Sequence, residues 1–170
     1  MNMTISVIKH SEIKDFESIV KLKQQHWPYS YESQLQWVKD NLRDDDEHIC
    51  LYMDDDIIAY LNFVKIVCHV NGGCFNSIGL GNVCVAKVHR NRGWGIALVS
   101  FANCILKERK IPGILLCHNE LISFYQKCGW RTLVDIKEIS IADKFYNGIA
   151  MSYNCIAFSD VKTVEIDRNF

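Results

Sequence analysis

No apolar run in this 170-residue chain is long enough to cross a bilayer. Residues 1–9 lack the apolar core of a secretory leader. Together these absences lead to the expectation of a cytoplasmic protein with no membrane role. The net charge of −1 is too close to zero to drive general binding to nucleic acid or to a membrane surface, so neither is expected as a partner. There is no repeat, low-complexity tract or linker, and the length suits one domain over residues 1–170. The eight cysteines include no C-x-x-C pair of the kind that holds zinc. A chain of this size can build a core without staples, so no disulfide framework is expected. Cys50, Cys84, Cys104, Cys117, Cys128 and Cys155 fall within apolar periodic segments and read as buried small hydrophobes. Cys68-His69 with Cys74, and Cys117-His118, fall short of a ligand set, and no metal is expected.

What is present is the composition of a globular protein, 49% hydrophobic and 23% charged. Residues 4–9 read as a first strand. Ser11 is placed to cap a helix whose apolar face is Ile13, Phe16, Ile19, Val20 and Leu22. Pro28 breaks that helix, and a second follows through Leu35, Trp37, Val38 and Leu42. Strands are predicted over residues 48–53, 57–70 and 77–86, with Asn71-Gly72-Gly73 as a hairpin turn. A long helix over 93–109 comes next. The short apolar run 114–117 has the character of a strand buried on both faces. Asn119 is placed to cap a helix reaching Lys127, and strands are predicted over 131–134 and 149–158. The order β-α-α-β-β-β-α-β-α-β-β describes a mixed α/β (α+β) layer fold.

The segment Arg90-Asn91-Arg92-Gly93-Trp94-Gly95 lies between the strand 77–86 and the long helix. A strand, a glycine turn and a helix in that order aim free backbone N–H groups and the positive helix end at one spot. Gly93 and Gly95 let an anion approach the main chain closely. Arg90 and Arg92 add fixed charge. A pyrophosphate is the expected ligand. The dinucleotide pattern would need a third glycine at Leu98, and no Gly-Lys-Ser/Thr string exists for a P-loop.

Val83-Cys84-Val85, then Arg90-x-x-Gly93-x-Gly95, then Ala97-Leu98, resembles the acetyl-coenzyme A signature of the GNAT acetyltransferase superfamily. Asn119 followed by Phe124-Tyr125-Gln126-Lys127-Cys128-Gly129-Trp130 resembles a second segment of the same superfamily. The two occur in the expected order, and the likeness covers residues 77–133. Residues 116–130 also look a little like the aminoglycoside 2′-N-acetyltransferases.

The resemblance implies a central, mostly antiparallel mixed sheet with a splayed parallel strand pair, flanked by about four helices. It implies acetyl-coenzyme A as co-substrate and direct acetyl transfer, through a tetrahedral intermediate, to the primary amine of a small molecule. An amino sugar, an amino acid or a polyamine would each serve. In this family the pyrophosphate lies on the turn N–H groups, here Arg90, Asn91, Arg92, Gly93, Trp94, Gly95, Ile96 and Ala97. The strand before the turn offers backbone to the pantetheine arm, here Val83 and Val85, and Asn119 is a further contact. Tyr125 is the candidate general acid for the departing thiolate. Many relatives carry a Glu where this chain has Gly79, and residues 77–86 hold no carboxylate. His118 is the candidate base in its place, with His48, Glu120, a water relay or an amine that binds neutral as alternatives. Trp27, Tyr29 and Tyr31, between the first two helices, are candidates for the acceptor pocket, and core packing is the plainer role for Trp27. Acidic residues 44–47 and 54–56 would attract a cationic amine, though solvated turns account for both. A homodimer is a candidate assembly for this family. Two rival readings remain: a non-catalytic acyl-coenzyme A sensor or scaffold, and an acetyltransferase of proteins or peptides.

Overall fold

The computed structural model describes residues 2–154 and 160–170. They divide into two compact units. The first holds the chain up to Val64, Gly81–Val99 and Phe170; the second holds Lys65–Leu80 and Ser100–Asn169. The chain passes from one to the other after Val64, Leu80, Val99 and Asn169.

In the first unit, strand β1 (Met3–Lys9) pairs antiparallel with β2 (Glu47–Met53), and β2 pairs antiparallel with the first part of β3 (Asp56–Val70). Helix α1 spans Phe16–Gln24. Its cap is Asp15, whose carboxylate accepts from the Ser18 N–H at 3.1 Å. The expected cap, Ser11, instead sits within a separate 3-10 turn, His10–Glu12. Helix α2 spans Tyr31–Asn41 and is capped by Ser30, whose hydroxyl accepts from the Ser33 N–H at 3.1 Å. Ile19 and Leu22 of α1 pack with Cys50, Tyr60, Cys84 and Ala86 to form this unit's core. That spacing is what one helix face needs to cover a sheet.

The hairpin between β3 and β4 (Gly73–Val85) turns at Asn71 and Gly72, with φ +49° and +80°. Two left-handed residues match the twist of a hairpin, and an Asn-Gly pair adopts them at least cost. Helix α3 spans Trp94–Glu108. In the second unit follow β5 (Gly113–Cys117), α4 (Ile122–Lys127), β6 (Arg131–Thr132), β7 (Glu138–Ile141), β8 (Lys144–Phe145), β9 (Ile149–Tyr153) and β10 (Thr163–Ile166). The strand order there is β6-β9-β5-β4-β3-β10-β7-β8, with β3 and β4 contributing their hairpin-side parts. The pairing is mixed: β5–β9, β6–β9, β3–β10 and β7–β8 are antiparallel, β4–β5 and β7–β10 parallel. The β4–β5 ladder is short, Ile78 with Gly113 and Gly79 with Ile114.

Trp130 anchors the second unit and is 2% exposed. Its Nε1–H donates to Asn103 Oδ1 at 3.0 Å, and Asn103 Nδ2 donates to the Cys128 carbonyl at 2.7 Å. One buried amide thereby satisfies an indole and a backbone carbonyl at once. Gly113 is required beside it: a Cβ there would lie 2.7 Å from Leu106 Cδ1 and 2.8 Å from Trp130 Cη2.

Three further expectations need correction. Asn119 does not cap α4; it begins a 3-10 turn, Asn119–Leu121, and α4 starts at Ile122 without a side-chain cap. Cys104 is exposed, because Leu98, Ala102 and Leu106 take the buried face of α3. The strand expected over 149–158 is β9, which ends at Tyr153; Cys155 and the rest of 155–159 lie outside the described residues. Among the described residues no helix is long and apolar enough to cross a membrane.

Candidate functional site

The glycine turn belongs to the first unit. After β4 a short 3-10 turn, Lys87–His89, leads into residues 90–93, and α3 begins at Trp94. Asn91 and Gly93 have φ +61° and +84°, which bends the chain sharply into the helix. The first backbone bond of α3 runs from the Ala97 N–H to the Gly93 carbonyl at 2.9 Å. The N–H groups of Trp94, Gly95 and Ile96 therefore have no partner within the helix and face out of its positive end. No atom lies within 4 Å of where a Gly93 Cβ would be, so the approach to the turn is open. Trp94 is half-buried, and its Nε1 and the nearby His89 Nδ1 are buried without hydrogen-bond partners. Arg92, Ile96 and Ala97 are exposed.

His26 organises this region, a role the sequence reading missed. The Arg90 guanidinium donates to His26 Nδ1, and His26 Nε2 lies 2.9 Å from the Val85 carbonyl. Arginine only donates, so Nδ1 accepts and the ring proton sits on Nε2, donated to Val85. The ring is therefore neutral. Burial, then the Arg90 charge, lowers its pKa and favours that state. One imidazole thus ties the end of β4 to the first arginine of the turn. Val83 is half-buried in the same strand.

A cleft of about 450 Å³ lies in the same unit, between α1 and α2. Trp27 and Tyr29, two of the residues named as acceptor-pocket candidates, line it. Tyr31 opens α2 and is not part of that lining. Lys23, Gln34 and Trp37 are; Trp37 was read from sequence only as an apolar helix position, and the other two were not named. Asn82, at φ +54°, breaks the regularity of β4 and also reaches this cleft; its Nδ2 donates to Asn62 Oδ1 at 3.1 Å. The acidic turns have structural uses. Asp46 is 1% exposed and accepts from the Arg43 N–H at 2.8 Å, and Asp54 accepts from the Asn2 N–H at 2.8 Å.

The second unit carries the remaining candidates. Tyr125 on α4 is 7% exposed. Burial raises its pKa, with the nearby Cys117 and Cys128 thiols adding to the shift, so the hydroxyl stays protonated across the neutral range. Phe124 packs edge-on against it at 4.9 Å between centroids. His118 and Asn119 are exposed and share an open depression with Glu120 and Gly148. Among the described residues no three of His, Cys, Asp and Glu come together as metal ligands.

A family model described as the acetyltransferase (GNAT) domain matches residues 7–133. Among solved structures the chain is similar to Escherichia coli ElaA, with 20% identity, 89% of this chain and 99% of that one covered, and a TM-score of 0.65. It is similar to the ribosomal-protein-S18-alanine N-acetyltransferase of Escherichia coli, with 17% identity, 94% and 99% coverage and a TM-score of 0.64. It is also similar to the PaiA N-acetyltransferase of Thermoplasma acidophilum, solved in complex with coenzyme A, with 17% identity, 90% and 99% coverage and a TM-score of 0.61. At such identities the likeness concerns the fold. A comparison with curated proteins finds no match.

Proposed function

The chain belongs to the GNAT acetyltransferase family, and from that premise we propose that it transfers an acetyl group from acetyl-coenzyme A to a primary amine of a small molecule. The observation that carries this reading is the turn at the head of α3. Three free N–H groups, an open approach above Gly93 and a fixed Arg90 suit a pyrophosphate. In this reading Arg90 to Ala97 hold the pyrophosphate, Val83 and Val85 lie along the pantetheine arm, and Asn119 is a further contact. The coenzyme, when bound, supplies an activated thioester carbon.

Tyr125 donates its hydroxyl proton toward the departing sulfur. A buried phenol with a raised pKa stays protonated across the neutral range and can serve as a donor. His118, exposed beside Asn119, takes the proton that the amine loses; an amine that arrives neutral needs less of it. Trp27 and Tyr29 contribute the acceptor pocket. The reaction is expected in the cytoplasm, with a homodimer as the candidate assembly.

The test is release of free thiol from acetyl-coenzyme A across a panel of amines. Amine-dependent release is expected, and Tyr125→Phe should lower kcat at least tenfold with donor affinity unchanged. Tight donor binding with no thiol release from any amine would make the protein a non-catalytic acyl-coenzyme A module. Release with peptides alone would make it a protein acetyltransferase.

A further inference from the structure

The cleft between α1 and α2 holds a buried ammonium. Lys23 is 7% exposed; among the described residues no Asp or Glu side chain lines the cleft with it, and Phe170, the last residue, which carries a backbone carboxyl group, also lines it. Its Nζ lies 5.2 Å from the centroid of the Trp37 ring. A cation–π contact offsets only part of the cost of burying an ammonium, and buried charges are ordinarily paired. Burial lowers the Lys23 pKa to about 8, so the group is still mostly charged at neutral pH.

Gln34 is a second, independent sign. It is 4% exposed, lines the same cleft, and neither its Nε2 nor its Oε1 has a hydrogen-bond partner. A buried amide left unpaired costs about 1–3 kcal/mol, so such a group generally has a partner. A carboxylate would supply acceptors to both the ammonium and the amide. The rings of Trp27 and Trp37 offer an apolar surface beside them.

We infer that the acceptor carries a carboxylate, bound in this cleft by Lys23 and Gln34 with its apolar body against Trp27 and Trp37. The substrate class is then an amino acid or a similar amine-bearing acid. Polyamines and amino sugars, which bring only positive charge, are disfavoured by Lys23. That the bound acid is the acceptor rests on the proposed acetyl transfer; the anion site itself does not.

N-acetylphenylalanine and N-acetylphenethylamine differ only by a carboxylate, and neither carries an amine charge. Calorimetric titration of the intact protein with each, without donor, reads the anion site alone. The acid should bind about tenfold tighter or better, which corresponds to about 1.4 kcal/mol. Lys23→Met should abolish that preference, Gln34→Leu should reduce it, and Lys23→Arg should retain it, which also guards against a folding defect in the Met variant. Equal binding of the two probes, or a preference that survives Lys23→Met, overturns the anion site. Thiol release with phenylalanine and phenethylamine then separates the two ideas. A retained binding preference with no release from any amine leaves the anion site standing and removes the transfer reading. Equal kcat/KM for the two amines, with release intact, removes the carboxylate and leaves the transfer.

Discussion

Acidification should weaken the protein through one residue, His48. Its ring is fully buried in β2, with Nε2 3.0 Å from His10 Nδ1 and Nδ1 2.7 Å from the Tyr60 hydroxyl. The Phe16 ring closes the site at 5.8 Å between centroids. Protonation would place a cation in this apolar setting. Burial is the main penalty, followed by repulsion from His10 and Lys23, and together they lower the pKa from 6.5 to about 3. The sign follows from linkage. Above pH 6.5 the ring is neutral in both folded and unfolded chains, and its contribution is fully present. As pH falls below 6.5 the unfolded chain takes up a proton that the folded one refuses, and stability drops until the folded pKa is reached. Three and a half pH units at 1.36 kcal/mol each set an upper bound of roughly 5 kcal/mol, comparable with the whole stability of a small domain. The assay is urea unfolding at pH 7.5, 6, 5 and 4 for the parent and for His48→Gln, which has no titratable ring. The parent should lose up to about 1.4 kcal/mol more per pH unit than the variant below pH 6. The variant should be less stable at pH 7.5 but fall more gently. Parallel curves would refute the reasoning, because carboxylates common to both proteins would then account for the acid loss.

Gly113→Ala should destabilise by about 1–3 kcal/mol through overpacking against Leu106 and Trp130, read as a lower Tm with the circular dichroism spectrum unchanged. Asn103→Leu removes the partners of both Trp130 Nε1 and the Cys128 carbonyl; a loss of about 2–4 kcal/mol is expected in urea unfolding, with red-shifted tryptophan emission. His26→Leu frees Arg90 and the Val85 carbonyl, and should raise KM for acetyl-coenzyme A about three- to tenfold while sparing kcat, equivalent to about 1 kcal/mol of lost positioning. Equal kinetics in that variant would mean that Arg90 needs no anchor.

The turn at residues 90–95 was legible because its chemistry is local: glycine, arginine and the switch from strand to helix are neighbours in sequence. The hairpin at Asn71-Gly72 was legible for the same reason. By contrast, β7 and β8 were missed because their turn uses Ala142 and Asp143, with φ +47° and +62°, and contains no glycine to announce it. Strand β10 was missed because its partners, in β3 and β7, are far away along the chain. His26 was read only as part of a helix break, since nothing in sequence links it to Arg90. Lys23 and Gln34 look like ordinary polar positions on amphipathic helices. The burial of the Lys23 ammonium and the unmet hydrogen bonds of Gln34 exist only once α1 and α2 are packed. Local propensity carries turn chemistry well, whereas unmet electrostatic need is a tertiary property.

Asn71 does more than turn a hairpin. Its Oδ1 accepts from the Lys162 N–H at 2.7 Å and the Thr163 N–H at 3.2 Å, its Nδ2 donates to the Asp160 carbonyl at 2.8 Å, and its own N–H donates to the Thr163 carbonyl at 3.2 Å. The Asn71–Lys162 bond spans 91 residues of sequence. Closing so long a loop carries a large entropic cost, and nearby contacts form faster. The hairpin should therefore be complete early, while β10 waits for the rest of its sheet. In pulse-labelled hydrogen exchange during refolding, the amides of Val164 and Ile166 should gain protection last, and one asparagine side chain sets the register in which they arrive.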